Sequence, residues 1–185
     1  MKTMIISDIH GHSENLKKVI DFMKIENIDN MIILGDIFNN YNELNVSSKE
    51  ISQLIWDIYD KVVITRGNCD TNFDQTLLPV GLVNHYETVI NGKRCYFHHG
   101  HLSIPYSSSI KLFCSGHTHI TKLSKIDDVI YKGEMYDLPE VMEEEMKRFL
   151  SEKEYKIYEA FKLIINNQCI ENFVIYLDQL VDLNS

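Results

Sequence analysis

Three apolar runs, "TMIIS" at 3–7, "MIILGD" at 31–36 and "KVVITRGNCD" at 61–70, each stop at a polar or glycine-bearing turn. Their apolar parts are too short for helices and rich in Ile and Val, which predicts strands buried on both faces. Between the first two, Leu16, Val19, Ile20 and Met23 recur at helical spacing; between the second and third, Leu54, Ile55 and Ile58 do the same. The order strand, helix, strand, helix, strand confines this part of the chain to parallel βαβ units. Ser13 is the expected N-cap of the first helix, and Ser47 with Glu50 the expected capping box of the second.

The pattern then changes. "LVNHYETVI" and "KRCYFHH" flank Asn91-Gly92, a strong hairpin signal. "KLFCSG" supplies another strand, and "TKLSKI" and "VIYKG" are expected to pair around Asp127-Asp128. Antiparallel strands added to a βαβ part predict an α/β fold, a two-sheet β-sandwich flanked by helices. From Asp137 the reading turns helical: "DLPE" and "SEKE" are start signals. Ile170, Phe173, Val174, Leu177, Leu180 and Val181 follow at helical spacing, although "NFVIYL" alone also fits a strand. The division expected is a main domain over 1–133 and a helical C-terminal extension over 134–185, packed on that domain.

Charge follows the same division. Residues 1–133 carry 13 Lys and Arg against 15 Asp and Glu, whereas 134–185 carry 5 against 12. All eight histidines lie at or before position 119. A net charge of −9 speaks against broad binding of DNA or RNA, but not against a small anion held locally. The opening "MKTMIISDIHG" is too short and polar for a signal peptide, and no apolar run approaches membrane-spanning length. Four scattered cysteines without C-x-x-C spacing suggest free thiols. A cytoplasmic protein without a membrane partner is the expectation, with a homo-oligomer left open.

The polar residues that end the apolar runs carry the chemistry. Asp8 and His10 follow the first, Asp36 the second and Asn68 the third; "HHGH" follows the hairpin and "GHTH" the next strand. Ligands bind at strand carboxyl ends in sheets of this kind. Gathering carboxylates and imidazoles on one rim is costly for folding alone, because like charges repel and rings lose solvation. Divalent cations remove both costs. In extended "DIH" and "HTH" segments, alternation would aim Asp8 with His10 and His117 with His119. Of the adjacent His98 and His99, only one can face such a site.

This set resembles the calcineurin-like metallophosphoesterases, in particular their small single-domain phosphodiesterase branch. The family order of D-x-H, G-D, G-N, H-G-H and G-H-x-H appears as Asp8-Ile9-His10, Gly35-Asp36, Gly67-Asn68, His99-Gly100-His101 and Gly116-His117-Thr118-His119. "GNCD" at 67–70 resembles the small branch, whereas larger relatives carry a histidine after the asparagine. The resemblance spans roughly residues 1–132. It implies a metal-dependent hydrolase of small phosphoesters, working through a hydroxide activated by two metals. It also implies the ligands: Asp8, His10, Asp36 and His119 for one metal, and Asp36, Asn68, His99 and His117 for the other. Asp36 would bridge, each oxygen holding one cation. The N/O donor set suits Mn, Ni, Fe, Co or Zn, with Mn the first expectation by resemblance.

Beyond the ligands, Asn68, His12 and His101 are the candidate catalytic groups. His12 would serve as proton donor or phosphate contact, and His101 as phosphate contact. His98 and His85 read as ordinary strand residues, and Cys69 as a small filler beside the site. Two alternatives stand beside the enzyme. One is a protein-interaction scaffold on the same fold, as in the retromer subunit that has lost metal ligands. The other is a nuclease-type phosphodiesterase, which the short chain and acidic balance disfavour. After G-H-x-H the chain also departs from the small branch: no Asn-Pro-Gly-Ser turn follows, and helical sequence takes its place.

Overall fold

The computed structural model describes residues 2–39, 45–90, 92–103, 109–119, 122–126 and 129–133. The helices expected beyond Asp137 lie outside the described residues. Strands β1 (Thr3–Ile6), β2 (Asn30–Ile33), β3 (Val62–Thr65) and β4 (Leu82–Val83) form one parallel sheet in that order. Helices α1 (Ser13–Ile25) and α2 (Val46–Trp56) connect the first three, and the short α3 (Asn72–Leu77) precedes β4. The second sheet has the order β5-β6-β7-β9-β8, built from β5 (His85–Ile90), β6 (Lys93–His98), β7 (Ile110–Ser115), β8 (Lys122–Ile126) and β9 (Val129–Gly133).

Alternation along the strands divides the apolar side chains between two cores. Met4, Ile6, Met31, Ile33 and Ile64 face Leu16, Ile20, Ile51 and Ile55 of the helices. Ile5, Ile32 and Leu34 face the second sheet, where they meet Ile90, Cys95, Phe97, Leu112 and Cys114. The result is the α/β two-sheet sandwich flanked by helices. No helix among the described residues is long and apolar enough to cross a membrane.

β5 and β6 pair as the expected hairpin with Ile90 opposite Lys93, and Gly92 takes the positive φ of 76° that such a tight turn requires. The expected antiparallel pairs are present, β5 with β6 and β8 with β9, but β6 pairs with β7, and β7 with β9, in parallel. β6 ends at His98 and β7 begins at Ile110, a separation long enough for the crossover that parallel neighbours need. This pairing places the ends of β6 and β7 at the same edge, so "HGH" and "GHTH" emerge side by side. Likewise "LVNHYETVI" is not one strand: Leu82–Val83 completes the first sheet and His85–Ile90 opens the second.

Both expected helix starts are displaced. His12, not Ser13, is the N-cap of α1, and its side chain makes no capping bond. Asn45 caps α2 in a reciprocal box with Ser48, in place of Ser47 and Glu50. The displaced side chains have longer-range partners. Ser47 Oγ donates to the Gly11 carbonyl, and Ser13 Oγ donates to Glu50 Oε2 at 2.5 Å. The start of α2 is thereby tied to the loop that follows β1.

Candidate metal centre

Parallel pairing continues past the strands into the loops after β1 and β2. Leu34 N–H donates to Ile6 O (2.8 Å), Asp8 N–H to Gly35 O (3.1 Å), His10 N–H to Asp36 O (2.9 Å) and Gly11 N–H to Ile37 O (2.9 Å). Within these loops Asp8 (φ 54°), His10 (45°) and Asp36 (50°) are left-handed, as are His117 (90°) and His119 (60°). Asp and His enter this region more readily than most residues, yet each still costs about 1–3 kcal/mol and persists only where neighbours impose it. The alternation expected for extended "DIH" and "HTH" segments is therefore corrected. The side chains converge because the backbone turns at each of them, not because it stays extended.

Three sets of donor atoms gather here, the atoms of each lying within 4.8 Å of one another: Asp8, His10 and His119; His10, Asp36 and Cys69; and Asp36, His99 and His117. His10 Nε2 is 3.2 Å from His119 Nε2, and each ring nitrogen faces Asp8 Oδ1, at 3.6 and 3.5 Å. Asp36 Oδ2 stands between the sets, 3.7 Å from His10 Nε2 and 3.3 Å from His99 Nε2. Asp36 Oδ1 accepts the Cys69 N–H at 2.8 Å. Asp36 Oδ2 thus lies toward both histidines, while Oδ1 faces the loop after β3. Asn68 joins through Oδ1, 3.0 Å from His99 Nε2.

The donor chemistry fits cations. His99 Nδ1 lies 2.6 Å from Leu34 O; a carbonyl only accepts, so Nδ1 carries the proton and Nε2 of the neutral ring is a bare lone pair. That lone pair faces two further acceptors, Asp36 Oδ2 and Asn68 Oδ1. Asp8 Oδ1 is buried with no hydrogen-bond partner among the described residues. Donor atoms sharing a cation at ~2.1 Å each stand roughly 3.0–3.4 Å apart, close to the spacings found here. Lone pairs converging without donors need a proton or a metal ion between them.

The electrostatics agree. Burial would raise the Asp8 carboxyl, but His10, the Ser7 hydroxyl and the His117 N–H outweigh it and hold it below the ordinary range. Burial opposes ionisation of Asp36 too, yet His99 and the Cys69 N–H bring it down to about 2. Burial would lower His99, and Asp36 reverses this and raises it. His10 is raised, chiefly by its interaction with Asp8. Both carboxylates are thus kept ionised, as ligands must be. Glycines make room for them: a side chain at Gly67 would fall on Asp36, and one at Gly116 on Ser7.

Access is graded. Asp8, Asp36 and His99 are buried, whereas Asn68 and His119 are exposed. His101 packs near His99 and His117, with ring centroids 5.4 and 6.2 Å away, and its Nδ1 is buried without a partner among the described residues. His12 is exposed at the start of α1. His98 faces away, edge-on to Tyr96. Cys69 lies nearer the centre than the filler reading supposed, within the set that includes His10 and Asp36.

One residue was missed. Asp70, buried, accepts N–H bonds from Asp36 (2.9 Å), Ile37 (2.9 Å) and Gly67 (2.7 Å). Burial raises its carboxyl, against the pull of the Gly67 and Ile37 N–H groups. The available signal is the aspartate that closes "GNCD" at 67–70.

The superfamily match and a phosphodiesterase relative make this two-sheet sandwich, with carboxylates and imidazoles at its rim, a phosphoric ester hydrolase. The chain belongs to the calcineurin-like phosphoesterase superfamily, whose domain matches residues 1–133. Phosphodiesterase YfcE of Escherichia coli (strain K12) is 30% identical over 129 residues, covering 65% of this chain and 70% of that protein. The solved structure of Yfce, a phosphoesterase from E. coli, shares the fold with a TM-score of 0.61 and 24% identity, over 72% of this chain and 78% of its own. An archaeal phosphodiesterase shares it with a TM-score of 0.52 and 21% identity, over 72% and 82%. Family membership implies divalent metal ions at the site.

Proposed function

We propose that the protein is a phosphodiesterase for small phosphoesters that works with two divalent transition-metal ions. Asp8, His10, Asp36 and His119 would hold one, and Asp36, Asn68, His99 and His117 the other. The observation that carries this reading is Asp36 Oδ2, lying between His10 Nε2 and His99 Nε2. When bound, the metal pair supplies an acidified water and positive charge against the phosphoryl oxygens. Leu34 O fixes the His99 tautomer, and the Cys69 N–H holds Asp36 in one rotation. His101 would meet a phosphoryl oxygen through its unpartnered Nδ1, and exposed His12 would protonate the leaving oxygen.

Retention of all seven donor residues favours an enzyme over a scaffold, and the net charge of −9 favours a small substrate over a polynucleotide. Manganese is the proposed occupant, with Ni, Fe, Co and Zn compatible with the same donors. The catalytic unit would be residues 1–133, with 134–185 a helical addition; the extent of the superfamily match supports this boundary. The free thiol of Cys95 within the core supports a reducing, cytoplasmic setting. A panel of nitrophenyl diesters and monoesters, run with Mn2+ on the wild type and on Asp36→Asn, tests the reading. Diesters should be cleaved faster than monoesters. Asp36→Asn should lose more than the roughly 10–100-fold typical of outer-shell changes. Preferential monoester cleavage, or near wild-type turnover of Asp36→Asn at saturating metal, would contradict it.

A further inference from the structure

We infer that Asp70 is the positioning residue of the metal centre. By gathering the loops after β2 and β3 onto one carboxylate, it sets where Asp36 stands and so governs affinity at both metal sites. The inference rests on the proposed role of Asp36 as shared ligand. Asp70 Oδ2 accepts from Asp36 N–H (2.9 Å) and Gly67 N–H (2.7 Å), and Oδ1 accepts from Ile37 N–H (2.9 Å). These three donors flank the bridging position and the turn that delivers Asn68. None of them belongs to a helix or strand.

The geometry needs a carboxylate. Both oxygens act as acceptors, so an amide in the same place must turn its NH2 toward at least one N–H. Asp36 is held from two directions by one short segment, its N–H by Asp70 and its Oδ1 by the Cys69 N–H. The segment is itself anchored, because Arg66 donates to the Asp70 carbonyl at 3.2 Å. The left-handed Asp36 backbone (φ 50°) is among the conformations that persist only where neighbours over-determine them, and Asp70 is one such neighbour.

Asp74 supplies the contrast. It is also buried, but it accepts the Thr71 N–H and hydroxyl within the local cap of α3. Loss of Asp74 therefore reads out destabilisation alone. The test compares the full-length wild type, Asp70→Asn and Asp74→Asn by thermal unfolding, Mn2+ titration calorimetry and steady-state kinetics at saturating Mn2+. Asp70→Asn should weaken Mn2+ binding by about 10–100-fold, the usual effect of losing an outer-shell partner, and lower kcat with little change in KM. Asp74→Asn should lower the unfolding temperature and leave Mn2+ affinity within about twofold, well below that outer-shell range. Equal affinity losses in the two variants, or none in Asp70→Asn, would overturn the positioning role. A wild type that binds no Mn2+, Ni2+ or Zn2+ would instead overturn the metal reading on which the role rests.

Amide hydrogen exchange on the wild type decides the question should Asp70→Asn not fold. Mn2+ should slow exchange at Ile37 and Gly67, which contact Asp70 and are not ligands. Unchanged exchange there upon Mn2+ binding would overturn the inference.

Discussion

His98 and His99 are neighbours on the chain with opposite fates. His99 gives its Nδ1 proton to Leu34 O and turns Nε2 toward Asp36. His98 is buried on the other face beside Tyr96, its Nε2 without a partner among the described residues. Burial, aided by His99, His101 and His85, lowers the His98 pKa from 6.5 to about 4. The unfolded chain thus takes up this proton near pH 6.5, while the folded chain resists until about pH 4. The contribution of His98 to stability is full above pH 6.5 and is lost as the pH falls toward 4. In excess chelator, which removes metal loading as a variable, the unfolding midpoint of the wild type should fall more steeply over this window than that of His98→Gln. Equal slopes would show that His98 does not titrate as its burial requires. That only one of the pair can face the site was legible in "HH", because adjacent strand residues alternate. Which one does so depends on strand pairing, and the sequence carried that only by resemblance.

At the scale of elements, the strands and helices were legible from apolar spacing, while their ends were not. Ser47 and Glu50 suit a capping box, but they bond to Gly11 and Ser13 from another loop, and Asn45 caps instead. A local rule lost to a tertiary contact. The left-handed turns at Asp8, His10 and Asp36 were hidden for a related reason. Each is imposed by bonds between loops, such as His10 N–H to Asp36 O, that no local pattern records. Asp70 escaped because a carboxylate that serves backbone N–H groups leaves no periodic trace. Glycines, in contrast, mark close approach. A Cβ at Gly116 would collide with Ser7 Oγ and come within 2.7 Å of Asp8 Oδ2. Gly116→Ala should therefore fold, by far-ultraviolet circular dichroism, yet weaken the metal site containing Asp8 by at least about tenfold, as for other supporting positions. Wild-type metal content and affinity in this variant would show that the crowding is relieved without moving Asp8.

Among the described residues, segments after five strands meet on one rim, and the two-sheet architecture explains how. The first sheet is parallel, so β1, β2 and β3 release Asp8, Asp36 and Asn68 at the same edge. The parallel pairing of β6 with β7 adds His99 and His117 there. Antiparallel pairing would have sent those two loops to opposite ends and taken either His99 or His117 and His119 away from the carboxylates. The class of fold was therefore readable from motif order, whereas the strand direction that completes the site was not. The account stands on lone pairs that converge without donors and need cations to hold them. The most direct measurement is metal content with diester hydrolysis, on protein stripped by chelator and titrated with Mn2+. The account predicts no turnover of bis-nitrophenyl phosphate in the stripped protein, and recovery that saturates near two ions per chain. Full-rate hydrolysis in excess chelator would contradict it.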